Sequence, residues 1–255
     1  MINEVRKKKP LIHCITNYVV ANFQANGLLS LGASPVMGDE VEEVEELASI
    51  ADALSLNIGT LNQRSVKSMI LAGKAANQKG IPIVLDPVGA GATRYRLSVI
   101  EQILNEVKIS ALRCNTGEFA AIMRKDWAAK GVDAGEGDAD ISDLAVQAAK
   151  KFKLIVAVTG ATDVITNGKV VHEIKSGHAI MSSVTGMGCL LSSVTAAFLT
   201  VEESADAVAK AMQFYGEAGE RAAKVSLGPG SFKTAFIDTL FSLAESDLHK
   251  GGKLN

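Results

Sequence analysis

Short apolar runs alternate with longer amphipathic ones along most of the chain. LSLNIG (54–59), PIVLD (82–86), KISALRCN (108–115) and KLIVAVTG (153–160) are rich in aliphatic and β-branched residues and close on polar residues or glycine. That pattern predicts buried strands. The segments between them carry helical spacing. EVEEVEELASIADA (40–53) opens with acids, as a helix N-terminus favours. Residues 62–79 place Val66, Met69, Ile70, Gly73 and Ala76 on one face, with Gly80 positioned to cap the end. Residues 97–107 and 141–152 read the same way.

Strand–helix–strand repetition implies parallel strands with right-handed crossovers, hence a three-layer α/β/α domain. DVITNGKVVHEI (163–174) breaks that rhythm, because Asn167-Gly168 between two alternating runs signals a hairpin. It predicts an antiparallel edge on a mostly parallel sheet. Helical patterns follow at 187–200, 203–225 and 232–248. With no low-complexity linker and no internal repeat, residues 1–255 read as a single domain. GVDAGEGDAD (131–140) lacks EF-hand ligand spacing and reads as a solvated connection.

Composition narrows the classes. A net charge of −2 offers no basic field for nucleic acid. The one basic run, Arg6-Lys7-Lys8-Lys9, reads as a solvated N-terminal arm. Three widely spaced cysteines, Cys14, Cys114 and Cys189, fit a reducing cytosol better than a disulfide framework, and no zinc-ligand spacing appears. LIHCI is too short for a signal-peptide core, and no run approaches a membrane span. The expectation is a soluble, cytoplasmic protein.

In open α/β sheets, ligands bind beyond the carboxyl ends of the strands. Those ends carry Asp86-Pro87-Val88-Gly89-Ala90-Gly91, Arg113-Cys114-Asn115-Thr116-Gly117-Glu118 and Thr159-Gly160, with Thr185-Gly186-Met187-Gly188-Cys189 next in line. Gly186 and Gly188 can aim successive N–H groups at one anion, backed by the helix CLLSSVTAAFL. The segment is neither a P-loop nor a dinucleotide fingerprint, since Leu191 stands where a third glycine belongs. Asp86 and Glu118 could supply the one or two carboxylates that magnesium takes beside water and phosphate oxygens. Plainer readings stand beside these: Asp86 in an Asp-Pro turn, and Glu118 as a first-turn acid of a helix capped by Asn115 or Thr116. Arg113 could pair a phosphate or a nearby acid, and Thr159 offers a hydroxyl or a turn residue. His13, His172, His178 and His249 form no catalytic pattern and read as structural.

Longer motifs carry a resemblance. PLIHCITNYVVANFQANGLLSLGASPVM (10–37), LNIGTL (56–61), LDPVGAGATRYR (85–96), Arg113-x-Asn115-x-x-Glu118, AVTGATDVI (157–165), VTGMGCLL (184–191) and GPGSF (228–232) resemble the hydroxyethylthiazole kinases of thiamin salvage. The resemblance runs from about residue 10 to about residue 240 and implies a ribokinase-like fold. It also implies ATP- and magnesium-dependent phosphorylation of 4-methyl-5-(2-hydroxyethyl)thiazole by a homotrimer, with its thiazole sites between subunits. By motif match, Arg113 and Thr159 would contact ATP, Asp86 and Glu118 would organise Mg2+, and Asn17, Met37 and Gly186 would line the thiazole pocket. A related kinase for a pyridoxal- or hydroxymethylpyrimidine-type alcohol is the alternative, and a catalytically silent ligand sensor a more distant one. Met187, Cys114 and Tyr18 depart from the family pattern. Met187 could crowd the glycine turn or point away from it.

Cys189 closes the glycine turn where many ribokinase-like relatives carry an aspartate base. A helix N-terminus lowers a thiol pKa, so a thiolate could accept the alcohol proton. Phosphoryl transfer nevertheless rests mainly on positioning and charge stabilisation. The expectation is that Cys189 orients the hydroxyl and assists weakly, while Gly186, Gly188 and the cation carry the charge.

Overall fold

The computed structural model describes residues 1–129 and 141–247. The acid-rich connection at 131–140 and His249 lie outside the described residues. Eight strands form one sheet: β1 (Leu11–Ile15), β2 (Ser34–Val36), β3 (Ala53–Asn57), β4 (Ile83–Asp86), β5 (Ala111–Asn115), β6 (Ile155–Thr159), β7 (Asp163–Thr166) and β8 (Val171–Ile174). Their order is β2-β1-β3-β4-β5-β6-β7-β8. Pairs from β2 to β6 are parallel, while β6–β7 and β7–β8 are antiparallel. The expected antiparallel edge is present. Its turn is longer than an Asn-Gly pair: Thr166 faces Val171, and Asn167 Oδ1 accepts the N–H groups of Lys169 and Val170. Gly168 supplies the left-handed residue, at φ 86°.

Helices cover both faces. On one lie α1 (Ile2–Lys8), α2 (Ala21–Leu31), α8 (Met187–Leu199), α9 (Ala205–Lys224) and α10 (Pro229–Ser242). On the other lie α3 (Val44–Ile50), α4 (Gln63–Lys79), α5 (Arg94–Glu106), α6 (Thr116–Ala129) and α7 (Ile141–Phe152). Strand residues divide by parity between the two cores: Ala53, Ala111 and Ala157 face the first, whereas Leu54, Leu56, Leu112, Val156 and Val158 face the second. Small residues on the first face let α8 press onto the middle of the sheet. Ser55 Oγ lies 3.1 Å from Ser193 Oγ of α8. Buried residues occupy every turn of α8, which fits its mostly apolar sequence, and its buried Ser192, Ser193 and Thr195 are hydrogen-bonded.

Three expectations need correction. The basic run is not a free arm: it ends a helix whose Ile2 and Val5 are buried. Arg6 donates to the carbonyls of Leu240 and Phe241 at the end of α10, and Lys8 to the carbonyl of Thr200 at the end of α8. These cations serve as caps for exposed helix C-termini. The acidic stretch 40–53 is helical only from Val44 to Ile50, and its last residue opens β3. The glycine turn follows a short 3-10 helix, Ala179–Ser183, rather than a strand.

Candidate active site

The carboxyl ends of β3 to β6 and the N-terminus of α8 converge above the middle of the sheet. Asp86 ends β4 and is 1% exposed. Its Oδ2 accepts from Asn57 Nδ2 and Ser192 Oγ, both at 2.9 Å, and lies 3.6 Å from Arg113 Nη1. Among the described residues its Oδ1 has no hydrogen-bond partner. Burial pushes the Asp86 carboxyl above its ordinary range; Arg113 pulls it back and Glu118 pushes it further up. Burial likewise opposes the Arg113 charge, but Asp86 and Glu118 outweigh it and raise that pKa.

Arg113 is buried, and its Nη2 donates to Thr159 Oγ1 at 3.4 Å. Gly188 leaves room for it: a Cβ there would stand 2.7 and 2.8 Å from the two terminal guanidinium nitrogens. Gly186 has a different reason to be glycine. It takes φ 90° as the N-cap of α8, and a Cβ would meet Val20 at 2.7 Å. The two glycines therefore set the approach of α8 to Arg113 and α2.

Glu118 lies in the first turn of α6. Its N–H donates to Asn115 Oδ1 at 2.9 Å and its Oε2 accepts the Asn115 N–H at 2.9 Å, a reciprocal capping box. Its Oε1 accepts from the Gly89 N–H at 2.8 Å, tying the loop after β4 to α6. The capping reading of Glu118 thus holds geometrically. Both oxygens retain lone pairs.

Asn17, just past β1, donates through Nδ2 to Asn57 Oδ1 at 2.8 Å and to Cys189 Sγ at 3.6 Å. Cys189 is partly buried. Burial, with Asp86 nearby, pushes its thiol up to about 11. That corrects the expectation of a thiol lowered by the helix terminus. Desolvation and the Asp86 carboxylate outweigh the lowering by Asn57, Arg113 and Asn17, and the thiol is protonated at neutral pH. Cys114 is buried in the second core, on the opposite face of the sheet from α8, and Arg113 still acts on its thiol electrostatically. Met187 is buried in the first core, with its sulfur 4.0 Å from Tyr215 Oη, and it lines the same cavity as Gly186 and Gly188. Tyr18 is exposed.

The structure gathers Asn17, Cys189, Asp86, Arg113, Gly188 and Thr159 into one connected group. Gly186 opens the helix that carries Cys189 and Gly188. Met37 follows β2 and is half-buried against the first core. Beside the group opens a cavity of about 620 Å³, lined among others by Arg113, Asn115, Thr159, Gly160, Gly186 and Gly188. It lies within the size range of small-molecule sites. Sequence reading missed Asn57, Ser192 and Arg96. Arg96 donates to the carbonyls of Ile58, Gly59 and Val88, clamping the loops after β3 and β4 together. Reading the end of β3 as the other strand ends were read would have found Asn57. Of the described histidines, His13 contacts the Gly38 carbonyl, His172 pairs with Asp206, and His178, which also lines the cavity, accepts the Ile180 N–H through Nδ1.

The hydroxyethylthiazole kinase family model matches residues 2–246. A hydroxyethylthiazole kinase from Exiguobacterium sp. strain AT1b is 51% identical over 244 residues, covering 95% of this chain and 93% of its own. The solved hydroxyethylthiazole kinase protein of Pyrococcus horikoshii OT3 superposes with a TM-score of 0.91 at 39% identity, covering 99% of this chain and 95% of that one. A pyridoxal kinase from Staphylococcus aureus, solved with ADP, superposes at 0.62 with 14% identity over 84% of this chain and 88% of its own, a likeness of fold alone. The fold matches the ribokinase-like architecture expected from the sequence, and with a family model spanning nearly the whole chain, this protein belongs to the hydroxyethylthiazole kinase family.

Proposed function

We propose that this chain transfers a phosphoryl group from ATP to the primary alcohol of 4-methyl-5-(2-hydroxyethyl)thiazole. Family membership supplies the acceptor. The observation that carries the chemistry is Asp86, buried beside Arg113 at the start of α8 with one carboxylate oxygen unpartnered among the described residues. A buried carboxylate with an orphan oxygen and a raised pKa favours a cation or a donated proton.

Asp86 Oδ1 and the spare lone pairs of Glu118 suit magnesium, which takes one or two carboxylates and keeps water and phosphate oxygens. Among the described residues no third His, Cys, Asp or Glu completes an all-protein cage. Mg2+ bound there would neutralise charge on the ATP phosphates. Arg113 presents its terminal nitrogens to the cavity edge, held by Asp86 and Thr159, and would contact the nucleotide phosphates. The N-terminus of α8, opened by Gly186 and Gly188, faces the same point and stabilises developing negative charge. Asn17 and Cys189 stand on the other side of Asp86, where the acceptor alcohol would lie, with Met37 and Gly186 toward the thiazole ring. A protonated Cys189 thiol orients the alcohol and does not deprotonate it at neutral pH.

The same reading places the active unit in a homotrimer. Tyr18 and Val19, which directly follow Asn17, are 83% and 58% exposed. Apolar side chains beside a substrate site suit cover by a neighbouring subunit. Among the described residues no helix is long and apolar enough to cross a membrane. Light scattering on purified protein tests the trimer. ADP release with magnesium and ATP, comparing hydroxyethylthiazole, pyridoxine and hydroxymethylpyrimidine, tests the activity. Thiazole-dependent turnover well above the other two is expected, and turnover on another alcohol alone would overturn the acceptor assignment.

A further inference from the structure

Asn57 is the last residue of β3 and stands opposite Asp86 of β4 in the parallel register. Both are 1% exposed. The Asn57 amide works in two directions. Its Nδ2 donates to Asp86 Oδ2 at 2.9 Å, while its Oδ1 accepts from Asn17 Nδ2 at 2.8 Å and from the Gly59 N–H at 2.9 Å. This pattern permits one amide orientation, because the flipped one would set oxygen against carboxylate and donor against donor. Gly59 is part of the arrangement: a Cβ there would stand 2.7 Å from Asn17 Nδ2.

Asp86 Oδ2 is held by two donors, Asn57 and Ser192, which fix the rotation of the carboxylate. Oδ1, without a partner among the described residues, is thereby left for whatever enters the site. Asn17 extends the chain to Cys189 at 3.6 Å. One buried amide thus links the side where the alcohol would lie to the carboxylate that faces Arg113.

We propose that Asn57 is a positioning residue for phosphoryl transfer, its side-chain amide fixing Asn17 and Asp86 in a single mutual arrangement. The proposal rests on the reading that Asp86 and Asn17 act at the site. Asn57 works through these two neighbours, so its loss acts on the alignment of acceptor and phosphate more than on the binding of either. Misplacement of reacting groups by about 1 Å costs on the order of a hundredfold in rate.

The test compares wild type, Asn57→Ala, Asn57→Asp and Asp86→Asn. Asn57→Asp keeps an acceptor for Asn17 and Gly59 but sets an oxygen against Asp86 Oδ2, so it breaks one arm of the bridge without emptying the site. It also provides a reading if Asn57→Ala folds poorly. The measurements are kcat and the two KM values per folded molecule, with folded fraction taken from circular dichroism. Both Asn57 variants are expected to lose about 10–100-fold in kcat with KM for ATP within about threefold of wild type. Folded Asn57 variants with kcat within about threefold of wild type, while Asp86→Asn is inactive, would overturn the role of Asn57 alone. Wild-type kcat per folded molecule with a lowered melting temperature would make Asn57 merely structural and also overturn it. If Asp86→Asn itself keeps turnover, the site reading fails and the proposal falls with it.

Discussion

The protonation state of Cys189 is open to direct measurement. With its thiol pushed up to about 11, roughly three molecules in ten thousand carry the thiolate at pH 7.5, against about one in ten for a free thiol near 8.5. The more basic thiolate is the better nucleophile, which returns about tenfold of that ~300-fold deficit. Cys189 should therefore react with iodoacetamide about 20–30-fold more slowly than a free thiol at pH 7.5, with a rate that climbs through pH 10 without a plateau. Cys14 and Cys114 are 1% and 0% exposed, so native-state labelling reports Cys189. In turnover, a protonated thiol that only orients the alcohol leaves Cys189→Ser with a loss of about tenfold or less, below the 10²–10⁴ of a true general base. Cys189→Asp restores an acceptor at the same place and should keep or raise activity. A labelling plateau below pH 9, or a loss above a hundredfold in both variants with thiazole binding intact, would refute the reasoning.

Other outcomes follow from the same geometry. Gly188→Ala drives a Cβ to 2.7 Å from the buried Arg113 guanidinium; a displacement costing about 1–3 kcal/mol should lower kcat/KM for ATP by about 5–150-fold, seen in initial rates. Arg6→Ala removes two donors from carbonyls ending α10 and should cost about 1 kcal/mol in urea unfolding, with turnover unchanged. The thiols make stability fall at alkaline pH. Burial raises Cys14 to about 12 and Cys189 to about 11, and raises Cys114 as well. The unfolded chain releases these protons from about pH 8.5, so the folded state then holds more protons than the unfolded one. Their contribution is intact below pH 8.5 and declines above it up to the folded-state pKa values. Urea titrations should show a loss of about 2–3 kcal/mol between pH 8.5 and 9.5, and Cys114→Ser should reduce that slope.

What the sequence reveals depends on how each element is stabilised. β4 (Ile83–Asp86) is buried throughout and β6 (Ile155–Thr159) in all but its last residue, so their apolar runs announce them. The strand Ser34–Val36 is three residues long at the sheet edge and includes Pro35, which leaves too little pattern to read. The hairpin was legible from Asn167-Gly168, but its turn was not, because the Asn167 side chain, rather than the dipeptide alone, closes the loop. At the site, residue types pointed to Asp86, Arg113 and Gly188 individually. Their grouping depends on strand order. The Cys189 pKa could not be read locally, since the helix terminus is visible in sequence while the facing Asp86 lies about a hundred residues away in the chain.

Helix α8 shows why one sequence segment serves both packing and chemistry. It packs on β1, β3 and β4, and β3 offers it small side chains, Ala53 and Ser55. A polar residue in that layer needs partners, and α8 provides them. Ser193 receives Gln24 Nε2 at 3.0 Å and meets Ser55 at 3.1 Å, while Ser192, one residue earlier, donates to Asp86. The two serines in CLLSSVTAAFL are thus divided by helical rotation, one toward the core and one toward the carboxylate. Replacing Ser193 by alanine would leave Gln24 Nε2 with the Cys189 carbonyl alone among these two acceptors. Replacing Ser192 would leave Asn57 as the one side-chain hydrogen bond on Asp86 Oδ2. A buried donor left without its acceptor costs about 1–3 kcal/mol, so Ser193→Ala should act mainly on stability. Ser192→Ala should act mainly on kcat. Wild-type kcat in folded Ser192→Ala would show that the carboxylate does not need both donors to hold its orientation.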